Sequence, residues 1–174
     1  SILLTEKCTL ACTFCNMYMP HYKKPKHRPL EEIISDLNIF FPKIDHVSIF
    51  HIVGGEPLMY PHVNEVINYL GENFRKKIGR LLLTTNGTIN PKKDTIQLMK
   101  KFNLLISVSD YTKAIKYERK FLQTINTLKS NKANHFIRED IEWSDFGNPE
   151  KIKIKDDDKI KEHFKKCTAP YRGL

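Results

Sequence analysis

The 174-residue chain contains no apolar run long enough to cross a bilayer, and no charged segment followed by an apolar one opens it. Those absences argue against a helical membrane span or a secretory leader and predict a cytoplasmic protein with no membrane partner. Cysteine is scarce, four in all, so no disulfide framework holds the fold; 174 residues suffice to bury one core without one and are too few for a second full domain. Acidic residues are also short, 20 against 29 lysines and arginines, which leaves a net charge of +9. That excess fits an anionic partner such as a nucleic acid, a nucleotide or a phosphorylated substrate, and it equally fits a compositional bias, because the lysines are scattered over helices and loops. The one compact basic stretch, residues 20–29, carries Lys23, Lys24, Lys26 and Arg28 with His21 and His27, and reads either as a solvated connector or as a lid meeting an anionic substrate. The chain starts at Ser1 rather than methionine and stops at Gly173-Leu174 soon after a cysteine. Both ends are therefore expected to be trimmed from a longer protein.

What cysteine there is lies almost entirely in one place. Cys8-Thr9-Leu10-Ala11-Cys12-Thr13-Phe14-Cys15 holds three thiols in a single loop. Clustered thiols in a chain without secretory features read as ligands for soft metals and iron–sulfur clusters before disulfides, and an odd number strengthens that reading. Three thiolates can hold three corners of a four-iron cubane and leave the fourth iron open to a ligand. A zinc site more commonly shows two Cys-x2-Cys pairs or a cysteine pair with a histidine pair; here only Cys12 and Cys15 form such a pair. The zinc alternative would recruit His21 or His27 and make the chain a basic nucleic-acid module.

The spacing Cys-x3-Cys-x-aromatic-Cys, met by Cys8, Cys12, Phe14 and Cys15, resembles the signature of the radical S-adenosylmethionine (radical SAM) enzymes. The resemblance implies a [4Fe-4S] cluster whose open iron is chelated by S-adenosylmethionine, with Phe14 near the adenine. It implies reductive cleavage of the sulfonium to methionine and a 5'-deoxyadenosyl radical, which takes hydrogen from a substrate. It also implies an electron donor such as flavodoxin or ferredoxin, since an oxidised cluster cannot cleave the cofactor.

Periodicity along the chain supplies a scaffold. The residues Ser1-Ile2-Leu3-Leu4 read as the end of a first strand, leading straight into the cysteine loop. Leu30, Ile33, Ile34, Leu37 and Phe41 recur at helical spacing, with Glu31 and Glu32 in the first turn and Pro42 as the stop. The second strand, residues 47–53, is apolar on both faces and predicted to be buried on both. It runs into Gly54-Gly55-Glu56-Pro57, which is similar to the family's segment for the cofactor's amino group. There the glycines admit close backbone approach, the proline stiffens the turn and the glutamate offers an acceptor to an ammonium. His51, a lone histidine among apolar neighbours, is more simply a packed, hydrogen-bonded side chain than a ligand.

A second helix follows on Val63, Val66, Ile67, Leu70 and Phe74, then a third strand over residues 81–85. Thr85-Asn86-Gly87 is similar to a family segment beside the cofactor, and Asn90-Pro91 opens the third helix. Residues 104–109 form the fourth strand, where the resemblance places Ser107 and Ser109 against the ribose or carboxylate of the cofactor. The two serines share one strand face, and Asp110 is expected to cap a helix marked by Ile115, Phe121 and Leu128. His135-Phe136-Ile137-Arg138 is a candidate fifth strand, and Trp143 and Asp145 are candidate substrate contacts on the following loop.

Each chemical segment thus falls after a predicted strand and before a predicted helix. In a parallel β/α barrel such turns converge on one face, where active sites are built. The expected fold is α/β, a partial (β/α)6 TIM-like barrel truncated at its end, with residues 1–150 as the core and 151–174 as a linker. Cys167 would open a C-terminal extension with an auxiliary iron–sulfur cluster, as in the SPASM and twitch branches, or remain unligated.

Overall fold

A computed structural model describes residues 1–13, 15–139 and 156–166. Among the described residues strand and helix alternate: β1 (Ile2–Leu3), α1 (Leu30–Phe40), β2 (Val47–Val53), α2 (Val63–Asn73), β3 (Ile78–Thr85), α3 (Lys93–Lys101), β4 (Leu105–Ser109), α4 (Glu118–Ser130), β5 (His135–Arg138) and α5 (Asp157–Lys166). The five strands form one sheet in sequential order, every neighbouring pair parallel. Sequential order with parallel pairing makes each connection cross over in the same sense, which sends the helices to one face and curls the sheet toward a barrel. Consecutive helices accordingly touch, α1 on α2 and α2 on α3.

The helix-facing side carries the core. Phe50, Ile52, Leu81, Leu83, Ile106 and Val108 are at most 3% exposed and meet Ile33, Leu37, Ile67, Leu70 and Met99 from the helices. Burying each such side chain contributes about 1.5–3 kcal/mol. Phe41 anchors one corner, stacked on Phe74 at 4.3 Å and tilted against Phe50 at 5.1 Å.

The other face of the sheet is concave and left open by five strands. Register places His51 beside Leu82, Leu82 beside Leu105, Thr84 beside Ser107, Ser107 beside Phe136, and Ser109 beside Arg138, so these residues share that face. Burial of β2 on both faces was the expectation from its composition; instead Ile49 is 50% exposed and Phe136 41% exposed, because nothing among the described residues covers the lower concave face. Two boundaries differ by three residues. β3 begins three residues earlier, at Ile78, since the turn Arg75–Lys77 delivers the chain already paired to Val47. α4 begins at Glu118 rather than near Ile115, because the Ala114 and Ile115 amides bond back to the Tyr111 carbonyl in a tight turn. Among the described residues no helix is long and apolar enough to cross a membrane.

Candidate cofactor site at the C-terminal rim of the sheet

The turn after β2 is packed directly against the cysteine loop. The Gly55 amide donates to the Thr5 carbonyl at 2.8 Å and the Glu56 amide to the Lys7 carbonyl at 2.9 Å. A Cβ on Gly55 would lie 2.3 Å from the Lys7 oxygen and 2.9 Å from the Cys8 Cβ, so only glycine lets the two segments meet. Pro57 opens the short turn Pro57–Met59, which fixes how the chain leaves the site.

Glu56 is fully buried and serves as the knot between two rim loops. Its Oε1 accepts the Leu58 amide at 3.0 Å and the Thr85 hydroxyl at 2.8 Å, and its Oε2 accepts the Asn86 amide at 2.8 Å. Burial pushes its pKa up to about 7 against the pull of those three donors. The acceptor foreseen for an ammonium is thus engaged by the protein's own β2 and β3 turns.

Asn86 ties the third segment to the first. Its Nδ2 reaches Cys8 Sγ at 3.5 Å and Thr9 Oγ1 at 3.1 Å, while its Oδ1 accepts the Thr88 amide at 3.0 Å. Gly87 follows with φ of 74°, a left-handed conformation, and a Cβ there would lie 2.8 Å from Phe121. The asparagine side chain is held for its task by the turn that the glycine permits.

Cys8, Cys12 and Cys15 are free and partly buried on this rim. Burial raises the Cys12 thiol to about 11, with the charges of Cys8 and Cys15 adding to it; burial likewise raises Cys8, partly offset by the Leu10 amide and Asn86. Ionised Cys8 and Cys12 therefore carry a cost in the metal-free protein that bound metal cations relieve. Among the described residues no three His, Cys, Asp or Glu side chains converge on a single ion, and His27 Nδ1 lies 2.8 Å from Thr5 Oγ1. A cubane spreads its cysteine sulfurs over three separate irons, and three thiols on one loop beside a glycine turn fit that donor set.

From β4, Ser107 and Ser109 are buried, and Ser107 Oγ has no hydrogen-bond partner among the described residues, an orphaned polar atom on the concave face. Residues that periodicity did not single out complete the rim. Tyr117 accepts the Tyr111 amide at 3.0 Å, and burial raises the Tyr111 hydroxyl, with the charges of Cys12 and Cys15 adding. Arg138 projects from the end of β5 on the concave face and forms no ion pair among the described residues. A period of two applied to the fifth strand would have found it. His51 is half-buried with Nε2 2.6 Å from Thr84 Oγ1, and its pKa is lowered, by burial first and by the charge of Arg138 as well. Asp110 caps the Thr112 amide of the turn at 2.8 Å rather than α4, since that helix starts eight residues later. Phe14, Trp143, Asp145 and Cys167 lie outside the described residues.

A parallel β/α sheet whose strand ends gather three thiols, a double-glycine turn and an asparagine around one rim defines an open-barrel cofactor enzyme core. The Radical SAM superfamily model matches residues 2–136, and the chain belongs to that superfamily. It is 33% identical over 90 residues to GTP 3',8-cyclase of Erythrobacter litoralis, covering 49% of this chain and 25% of the relative. It is 27% identical over 136 residues to the Bacillus subtilis antilisterial bacteriocin subtilosin biosynthesis protein AlbA, covering 72% and 28%. A nucleotide dehydratase of Selenomonas ruminantium, dependent on S-adenosylmethionine, is 28% identical over 104 residues, covering 59% and 35%. The chain therefore spans about a quarter to a third of the length of these curated relatives. In fold it is similar to BtrN, solved in complex with AdoMet and 2-DOIA, with a TM-score of 0.58, 14% identity, and coverage of 81% of this chain and 57% of that one. The superfamily implies a [4Fe-4S] cluster and S-adenosylmethionine, and the donor set on the rim fits both.

Proposed function

We propose that this chain is the cofactor-binding core of a radical SAM enzyme acting by hydrogen abstraction from a substrate carbon. Cys8, Cys12 and Cys15 would ligate the cluster; Gly54, Gly55, Glu56 and Pro57 would line the methionine end of the cofactor, Thr85, Asn86, Ser107 and Ser109 its flank, and Phe14 its adenine. When bound and reduced by one electron, cluster and cofactor supply a 5'-deoxyadenosyl radical. The protein's own contribution is positional: Glu56 locks the β2 and β3 turns together, Asn86 orients Cys8, and the buried hydroxyls of Ser107 and Ser109 line a sheltered face where a reactive carbon is kept from water. The observation that carries this reading is the contact of Gly55 with Lys7 and Cys8, which joins the two most distinctive segments of the sequence in one place.

Arg138, on the concave face beside that rim and without an ion pair among the described residues, supports an anionic substrate. Cys167 is read as the first ligand of an auxiliary cluster in a longer protein, and the cytoplasm as the compartment. The test is anaerobic reconstitution with iron and sulfide. The reading predicts a brown protein that, once reduced, converts S-adenosylmethionine to methionine and 5'-deoxyadenosine. A colourless protein holding one zinc, with no cleavage, would refute it. Iron counts on full-length protein with and without Cys167→Ala test the auxiliary cluster separately.

A further inference from the structure

The basic stretch after the cysteine loop is fastened rather than loose. It returns to the segment just past β1 through an isolated antiparallel bridge between Thr5 and His27. The Glu6 amide donates to the Lys26 carbonyl at 2.9 Å, the Arg28 amide to the Leu4 carbonyl at 3.0 Å, and the Lys26 amide to Glu6 Oε2 at 2.8 Å. The Tyr60 hydroxyl adds a bond to the Arg28 carbonyl at 2.9 Å. Because the Leu4 amide bonds to Val53 of β2 while its carbonyl takes the Arg28 amide, the strip pairs with residues 4–6, just past β1, on their side away from β2. It therefore lies one strand spacing of roughly 5 Å from the residues that lead into Cys8.

Its side chains form a positive surface. Lys23, Lys24 and Lys26 are exposed and make no ion pair among the described residues, and Tyr22, 42% exposed, stands beside them. Of the nearby acids, Glu6 is turned onto the Lys26 amide and Asp36 is held by Arg28 at 2.7 Å, leaving Glu31 and Glu32 on the first turn of α1. Cations mounted on a fixed backbone with an exposed aromatic suit recognition of a negatively charged protein face.

We propose that this strip is the docking face for an acidic one-electron donor of the flavodoxin or ferredoxin type, which serves the metal centre on Cys8, Cys12 and Cys15. The inference rests on the function proposed above and adds the place of the partner. One electron leaves the partner's reduced flavin or iron–sulfur centre, which is oxidised by one, and the metal centre is reduced by one; no atom is transferred.

The test uses cluster-loaded protein and the triple variant K23E/K24E/K26E, titrated with oxidised flavodoxin and followed by flavin fluorescence at low and physiological salt. The expected result is a Kd that rises about tenfold or more in the variant, with the steep salt dependence of the native chain lost. Reduction by flavodoxin hydroquinone should slow in the same proportion, while cleavage of S-adenosylmethionine driven by dithionite stays within about twofold. An unchanged Kd and salt slope would overturn the proposal and leave the lysines as protection of a sheet edge. Equal loss of dithionite-driven cleavage would overturn it too, by placing the strip's effect at the metal centre, and so would loss of affinity for a short RNA with flavodoxin binding intact. Absence of dithionite-driven cleavage in the native chain would refute the proposed function instead, and the flavodoxin Kd would still decide the docking face.

Discussion

Asn86 places its Nδ2 3.5 Å from Cys8 Sγ, so a residue at the end of the third strand supports a thiol that follows the first. The same side chain holds Thr9, and its backbone amide is bound by Glu56. Partners of this kind orient metal ligands and typically alter metal affinity by about 10–100-fold when removed. Asn86→Ala is expected to lower iron retained per chain after gel filtration and to shift the reduction potential of the remaining cluster. Retention and potential equal to the native chain would show that the contact plays no part.

Gly55→Ala sets a methyl group into the Lys7 carbonyl, where 2.3 Å is available. Backbone cannot yield as a flexible side chain does, so the expected cost is about 2–3 kcal/mol in denaturant unfolding, within the range for overpacking a filled site. Cofactor binding should be lost with it. Native stability would contradict the packing described.

The buried carboxyl of Glu56 makes the cofactor-free protein sensitive to pH in an unusual direction. Its folded pKa is raised to about 7 from the ordinary carboxylate value of 4.5, so between those values the folded state binds more protons than the unfolded one. Stability contributed by this group is present below the unfolded value and is lost as pH rises toward 7, by an amount on the order of 3 kcal/mol, after which it levels off. Glu56→Gln should flatten that slope in denaturant melts between pH 4.5 and 7.5, while lowering stability because its amide faces the Asn86 donor. A slope of opposite sign would contradict the assignment.

Ser107 offers a test that separates fold from function. An unpartnered buried hydroxyl costs about 1–3 kcal/mol, so Ser107→Ala should leave the cofactor-free protein as stable as before or more so. If the hydroxyl serves the cofactor, equilibrium binding of S-adenosylmethionine to the reconstituted variant weakens. Reduced stability together with unchanged binding would mean that its role is packing alone.

Much of the scaffold was legible because each strand carried a concentrated apolar run and each helix a periodic one. The loops after β1, β2 and β3 were legible for a different reason: cysteine, paired glycines and Asn-Gly are scarce residues with narrow backbone or chemical uses. Glu56 shows where such reading stops. Its letter suggested an acceptor for an ammonium and did not reveal that the fold encloses it among three donors, two of them at the β3 turn nearly thirty residues away. The open lower face of β2 was hidden as well, since Ile49 is as apolar as Ile52 and only strand closure decides which is covered. Arg138 and Tyr111 reached the rim through register and a tight turn, neither of which composition announces.

The most direct measurement is 5'-deoxyadenosine formed from S-adenosylmethionine by anaerobically reconstituted, dithionite-reduced protein, with each of Cys8, Cys12 and Cys15 replaced in turn by alanine. The account predicts cleavage by the native chain and its loss, with loss of the four-iron absorption, in all three variants. Cleavage that survives in Cys12→Ala would contradict it.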